Sequence, residues 1–321
     1  MSENLIQQSD NEQKISNKVN KEINQTCQKI NYENIINKKF YPVWFFTNER
    51  INNFFQKLEG QKEIKRIFSI GGSGDFIFSL LSMQALKQAE EINACDIRQM
   101  ANISIDFKIG LFKKLKYEEA LNLFLKQKLF NKKQIYEKIR EIITPLSKKV
   151  LDFIIENCKE DNFLKCLRKS NLWYRDSFWQ IKNKIEYLPY LTSKEKYYLL
   201  RKNLNKISIY SGDFNKNLKL FKDNYFDLIY VSNILDSKKY CSEVNLYLQT
   251  IKEKLNEKGL LFVITQNNPK KIIKLVEEYG FCVCEKELHK FNMISSFIGH
   301  YSYSFLLFKN SSKVLFLESL S

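Results

Sequence analysis

The sequence of 321 residues holds only two histidines, His289 and His300. Its seven cysteines form none of the Cys-x-x-Cys or Cys/His pairs that a tetrahedral zinc site needs, which argues against a structural metal. An odd number of thiols, with Cys95 inside an apolar run and Cys282 and Cys284 alternating in another, fits a reducing cytoplasm. The opening MSENLIQQSD has neither a basic nor an apolar leader region, so no secretory signal is expected. The longest uncharged stretch, FNMISSFIGHYSYSFLLF, contains Asn292, His300 and several serines, too polar for an uninterrupted hydrocarbon span. Two phosphate-binding signatures are missing as well. Counting from Gly72, Ile77 stands where G-x-G-x-x-G requires glycine, and G-x-x-x-x-G-K-[ST] does not occur.

A formal charge of +16 is present, which would ordinarily point to nucleic acid or anionic lipid as a partner. The excess lies in Lys, alongside Asn and Ile, as in LNKISIYSGDFNKNLKLFKDN, and since all three share AT-rich codons, codon bias can supply the charge as readily as function can. Lysine pairs such as Lys113-Lys114 and Lys132-Lys133 read as solvated helix surface.

Residues 1–38, rich in Asn, Gln, Lys and Glu, offer little apolar surface to offset the entropy of ordering, and read as a loose or partly helical arm. In the aromatic segment that follows, Thr47 or Asn48 can cap a helix carrying Phe54, Phe55 and Leu58 as core residues. Residues 39–96 then give an apolar run, a glycine turn, a helical pattern and a second apolar run, which is a β-α-β unit. Helical periodicity fills 97–205, and the α/β rhythm resumes over 206–321. There YLQTIKEKLNEKG reads as helix, LLFVITQ as strand, IIKLVEEYG as a helix ending at Gly280, and FCVCEKEL with YSYSFLLFKN as a closing strand pair. The reading is one sheet interrupted by a helical insertion of about a hundred residues, rather than two domains.

Four strand-end elements carry the candidate chemistry. The first is Ser69 to Asp75, where Gly71, Gly72, Ser73 and Gly74 form a turn that lets a nucleoside-like ligand lie against main chain, closed by Asp75. Asp96 ends the next strand twenty-two positions after Gly74, placed to accept from both ribose hydroxyls, with Ile97 beside it; alternatively it caps the following helix through Arg98 or Gln99. Asp213 can accept from an adenine amino group while Phe214 packs on the ring, although Asp is equally common there as a turn residue. Ser232, Asn233 and Asp236 follow the strand FDLIYV, and ligands of open α/β sheets sit at the carboxyl ends of strands.

These segments resemble the DUF3419 group, class I S-adenosylmethionine-binding enzymes whose characterised members transfer a 3-amino-3-carboxypropyl group to diacylglycerol. The resemblance spans roughly residues 62–265 and is carried by SIGGSGDFIFSLL, ACDIRQMANISIDFKIGLFKKLKYEEALNLF, PYLTSKEKYYLL, SGDF and FDLIYVSNILD. Its most specific marks are Asp96, the polar segment Ile97 to Asn102, Phe107-Lys108 and Tyr117-Glu118-Glu119. Two departures stand out. Asp96-Ile97-Arg98-Gln99 replaces the usual Asp-Leu-Asn-Pro, and Thr47-Asn48-Glu49 is closer to small bacterial relatives than to the lipid enzymes.

The resemblance implies a Rossmann-like α/β sheet with a long helical insertion after the second strand, and S-adenosylmethionine as cofactor. It implies aminocarboxypropyl transfer to an acceptor such as a lipid met at a membrane surface. Asp75, Asn233 and Asp236 are the candidates for gripping the methionine part or the acceptor. The alternatives are methyl transfer from the same pocket, or a noncatalytic binding module for S-adenosylmethionine or nucleic acid. The last is not favoured, because acidic strand ends repel phosphate.

Overall fold

The computed structural model describes residues 64–83, 88–125, 130–169, 188–235, 243–265, 269–283, 289–292 and 301–309. Asp236, the segment Phe54 to Leu58, Thr47-Asn48-Glu49 and Cys284 lie outside the described residues.

Five short apolar runs become parallel strands: β1 (Arg66–Ile70), β2 (Glu91–Asp96), β3 (Ile207–Ser211), β4 (Phe226–Ser232) and β5 (Leu255–Thr265). The chain closes with β6 (Phe281–Val283), β7 (His289–Asn292) and β8 (Tyr301–Lys309), and the sheet order is β3-β2-β1-β4-β5-β8-β6. β8 runs antiparallel to both β5 and β6, and β7 pairs with it too. Strands β1, β2 and β4 are buried along nearly their whole length, as expected of parallel strands covered on both faces. The order reverses between β1 and β4, so the sheet is the doubly wound, Rossmann-like type with a crevice at the carboxyl ends of those two strands.

Helix α1 (Asp75–Leu81) follows β1 and lays Phe76 against β4 and β5, its ring stacked 3.7 Å from Tyr230, which stacks in turn on Phe262 at 5.4 Å. Between β2 and β3 run α2 (Gln99–Lys114), α3 (Tyr117–Phe124), α4 (Lys132–Ile139), α5 (Pro145–Asn157), α6 (Phe163–Lys169), a 3₁₀ turn at Pro189–Leu191 and α7 (Lys194–Asn203). Helix α2 is buried continuously from Met100 to Phe112, as expected of an element packed on all sides. Helices α8 (Phe214–Leu218), α9 (Val244–Lys254) and α10 (Pro269–Glu278) supply Phe214, Leu248, Ile251 and Val276 to a core against Phe68, Ile229 and Val263.

Two sequence expectations are corrected. LNEKG is not the end of a helix: α9 stops at Lys254 and β5 begins at Leu255, pairing with Phe226 before the register shifts to Leu260 opposite Leu228. Full burial of Leu255 and the bond from the Asn256 side chain to Asp227 hold that extension in the sheet. Lys132 is not solvated helix surface either. It is 7% exposed, and its ammonium donates to the carbonyls of Ile155 and Cys158 at the end of α5, where unpaired carbonyls attract a cation.

Candidate functional site

The glycine turn after β1 is held on one side by β2. Gly71 N–H donates to the Cys95 carbonyl at 2.7 Å, and Gly74 N–H closes the turn on the Gly71 carbonyl at 2.8 Å. Gly72 and Gly74 have φ of 51° and 80°, the left-handed region where a Cβ is penalised. Their surroundings differ. A Cβ on Gly74 would stand 2.8 Å from Ile105 Cγ1 and 3.0 Å from Phe78 Cε2, whereas one on Gly72 would meet nothing within 4 Å. Gly74 is therefore required by packing, while Gly72 presents bare main chain to open space.

Asp96 borders that space. Its Oδ2 accepts the Gly72 N–H at 2.9 Å and its Oδ1 accepts the Arg98 N–H at 2.8 Å. The cap through Arg98 is thus present, yet each carboxylate oxygen keeps further lone-pair capacity. Burial pushes the Asp96 pKa up, and the two N–H bonds pull it partly back. Ile97, just beyond, is 58% exposed and offers an apolar wall at the tip of β2. Cys95 beneath is buried, its thiol pushed up to about 12 by burial and then by the Asp96 charge, which leaves it inert at neutral pH.

Asp75 lies elsewhere than a ligand-gripping group would. It is fully buried, and its Oδ1 accepts from Lys108 Nζ at 2.8 Å and from the Tyr190 hydroxyl at 2.7 Å. Lys108, also fully buried, donates to the Ser73 carbonyl at 2.9 Å as well. Burial drives the Lys108 pKa down while Asp75 pulls it up, and burial drives the Tyr190 phenol well above its ordinary value. Sequence reasoning assigned no role to Lys108 or Tyr190. The available signal was a lone lysine in the apolar helix sequence IDFKIGLF.

At the ends of β3 and β4 the candidates divide. Asp213 caps α8, accepting the Lys216 N–H at 2.9 Å, and its Oδ2 accepts the Tyr247 hydroxyl at 2.8 Å. Phe214 is 5% exposed and packs edge-to-face on Phe68 at 5.1 Å, so its ring belongs to the core instead of standing open for a bound ring. Asn102 of α2, which the sequence reading did not single out as a site residue, donates towards the carbonyls of Asp96 and Tyr210 and the Ser211 hydroxyl, tying the ends of β2 and β3 together. Asn233 has φ of 56°, its N–H donates to the Ile264 carbonyl, and its Nδ2 donates to Ser232 Oγ at 3.1 Å. The Oδ1 atoms of Asn102 and Asn233 are both buried with no hydrogen-bond donor among the described residues. Two orphan acceptors at strand ends suit a ligand rich in N–H and O–H groups.

No protein-family model matches the chain, and no curated protein matches it. Among solved structures, the rRNA methyltransferase AviRa of Streptomyces viridochromogenes overlaps 84% of this chain and 87% of its own at 10% identity and a TM-score of 0.40. Spermidine synthase of Thermotoga maritima overlaps 82% and 60% respectively, with 12% identity and a TM-score of 0.38. A methyltransferase dependent on S-adenosylmethionine from Aquifex aeolicus overlaps 83% and 90%, with 10% identity and a TM-score of 0.37. Likeness at this level adds nothing to the strand order itself.

Proposed function

We propose that the protein is an S-adenosylmethionine-dependent transferase that moves the 3-amino-3-carboxypropyl group to a nucleophilic acceptor. The observation that carries the cofactor reading is Gly72: bare main chain facing open space at the switch point, beside a carboxylate that can still accept hydrogen bonds. Asp96 would hold the two ribose hydroxyls, Ile97 would pack on the base, and Asn102 Oδ1 would take a further donor. Asp213, each of whose oxygens accepts one donor, from the Lys216 N–H and the Tyr247 hydroxyl, would fix the loop at the end of β3 and keep lone-pair capacity for the adenine amino group.

The cofactor supplies an already activated carbon next to a sulfonium, so the protein's task is orientation and exclusion of water. Attack of the acceptor on the γ-carbon would break the C–S bond, leave its electron pair on sulfur and release methylthioadenosine. Asn233 Oδ1, buried and without a donor, would orient the N–H or O–H of the acceptor or the methionine amino group, and Ser232 holds the Asn233 amide in place. Asp236, three positions further along, is the candidate to take the acceptor's proton.

The choice of group follows from the resemblance, three of whose segments the fold brings together. SIGGSGDF, the segment with Phe107-Lys108 and PYLTS meet at a single carboxylate, although Tyr190 and Asp75 are 115 positions apart. The resemblance suggests a lipid as acceptor, and no described helix is long and apolar enough to cross a membrane. Titration calorimetry tests the cofactor reading. The parent should bind S-adenosylmethionine, and Gly72→Ala, whose methyl would project into the ligand space, should bind it about tenfold or more weakly, a loss of roughly 1.4 kcal/mol. Equal affinity in both would refute the placement.

A further inference from the structure

We infer that Lys108 and Tyr190 are positioning residues for the cofactor turn, so that the helical insertion sets the geometry of the ligand crevice. The inference rests on the proposed use of S-adenosylmethionine. Its physical basis is the arrangement of the buried polar groups around Ser73 and Asp75.

The Ser73 carbonyl lies between Gly72 and Gly74, the two left-handed residues that decide where the turn's open side faces. Lys108 Nζ holds that carbonyl at 2.9 Å and Asp75 at 2.8 Å, and so joins α2 to both the turn and the start of α1. Tyr190 reaches the same Asp75 oxygen from the 3₁₀ turn at the far end of the insertion. The turn is thus gripped on one side by β2, through Cys95 and Asp96, and on the other by two separate parts of the insertion.

Stability alone gives no reason for such a cluster. A buried ion pair can often be replaced by apolar residues of similar volume at no cost, and in some proteins ionic groups kept in a core serve to specify geometry. The group specified here is the main chain that faces the ligand space. Lys108 and Tyr190, with no exposed surface, reach the turn through Ser73 and Asp75.

The test separates affinity from stability. The double variant Asp75→Asn with Lys108→Met removes both charges, conserves volume and leaves an amide oxygen for the Tyr190 hydroxyl. Its thermal unfolding should stay close to that of the parent. Its affinity for S-adenosylmethionine should fall about 10–100-fold, the range over which loss of an outer supporting partner weakens metal sites. Tyr190→Phe, which keeps the ion pair, should fold normally and lose about threefold to tenfold, roughly what one hydrogen bond contributes.

Unchanged affinity in the folded double variant, or in folded Tyr190→Phe, would overturn the positioning role and leave the cofactor reading standing. A double variant that fails to fold, together with Tyr190→Phe of unaltered affinity, would show a structural role only. Absence of binding by the parent would overturn both readings.

Discussion

The tetrapeptide Ser-Gly-Asp-Phe occurs twice, at 73–76 after β1 and at 211–214 after β3. Both copies have a left-handed glycine, an aspartate that accepts from a tyrosine hydroxyl, and a phenylalanine that is 5% exposed. Only the first aspartate meets an ammonium. Asp75 is sealed against Lys108 and Tyr190, whereas Asp213 stays half-buried and works as an N-cap. Identical local chemistry therefore serves two purposes, and the partners delivered by distant elements decide which. The first copy is built into the glycine turn after β1, and the second terminates a loop.

Removing each carboxylate is the sharpest way to break this comparison. Asp75→Ala leaves the Lys108 ammonium buried without its counter-charge and should cost about 3–5 kcal/mol in urea unfolding. Asp213→Ala removes a helix cap from a half-buried site and should cost only about 0.5–2 kcal/mol. Equal losses would mean that the two sites do not differ as described.

The glycines allow a second, smaller contrast. Alanine at 74 adds a contact at 2.8 Å with Ile105 to the strain of φ 80°, whereas alanine at 212 has only Asn217 Nδ2 at 3.6 Å to meet. Gly74→Ala should cost about 2–4 kcal/mol, combining overpacking with left-handed strain. Gly212→Ala should cost about 1–2 kcal/mol from the backbone alone. Matching thermal shifts would remove the packing argument.

The smallest expected effect is a pH dependence at Asp96. Its folded pKa is raised above the ordinary 3.8 by burial, so its contribution to stability is full below 3.8 and is lost as pH rises through the folded pKa. Across that window the parent should lose stability relative to Asp96→Asn as pH increases, while any fixed cost of the amide stays constant. Ribose hydroxyls favour the ionised form, so S-adenosylmethionine should bind more tightly as pH rises through the same window. A flat difference between the two proteins would show that Asp96 does not titrate there.

Much of the sheet was legible because strands and turns declare themselves locally. The run KRIFSI, the glycines after it and the acid at position 96 lie within a few dozen residues of one another and fix β1, the turn and β2. The same local logic misread LNEKG, where Leu255 continues the helical spacing of α9 and only its pairing with Phe226 draws it into β5. It could not show that Asp75 would be sealed, because Lys108 and Tyr190 are 33 and 115 positions away and no spacing rule links them. Phe214 gives the converse case. Its place after Gly-Asp suggests a ligand wall, yet Phe68 and Tyr247 claim its ring for the core.

The central claim is tested most directly by the fate of the spent cofactor. The protein, incubated with cell extract and S-adenosylmethionine labelled separately in the methyl and carboxyl carbons, should generate methylthioadenosine that retains the methyl label while the carboxyl label moves to the acceptor. S-adenosylhomocysteine as the only enzyme-dependent product, with methyl label on the acceptor, would contradict the account and identify the protein as a methyltransferase.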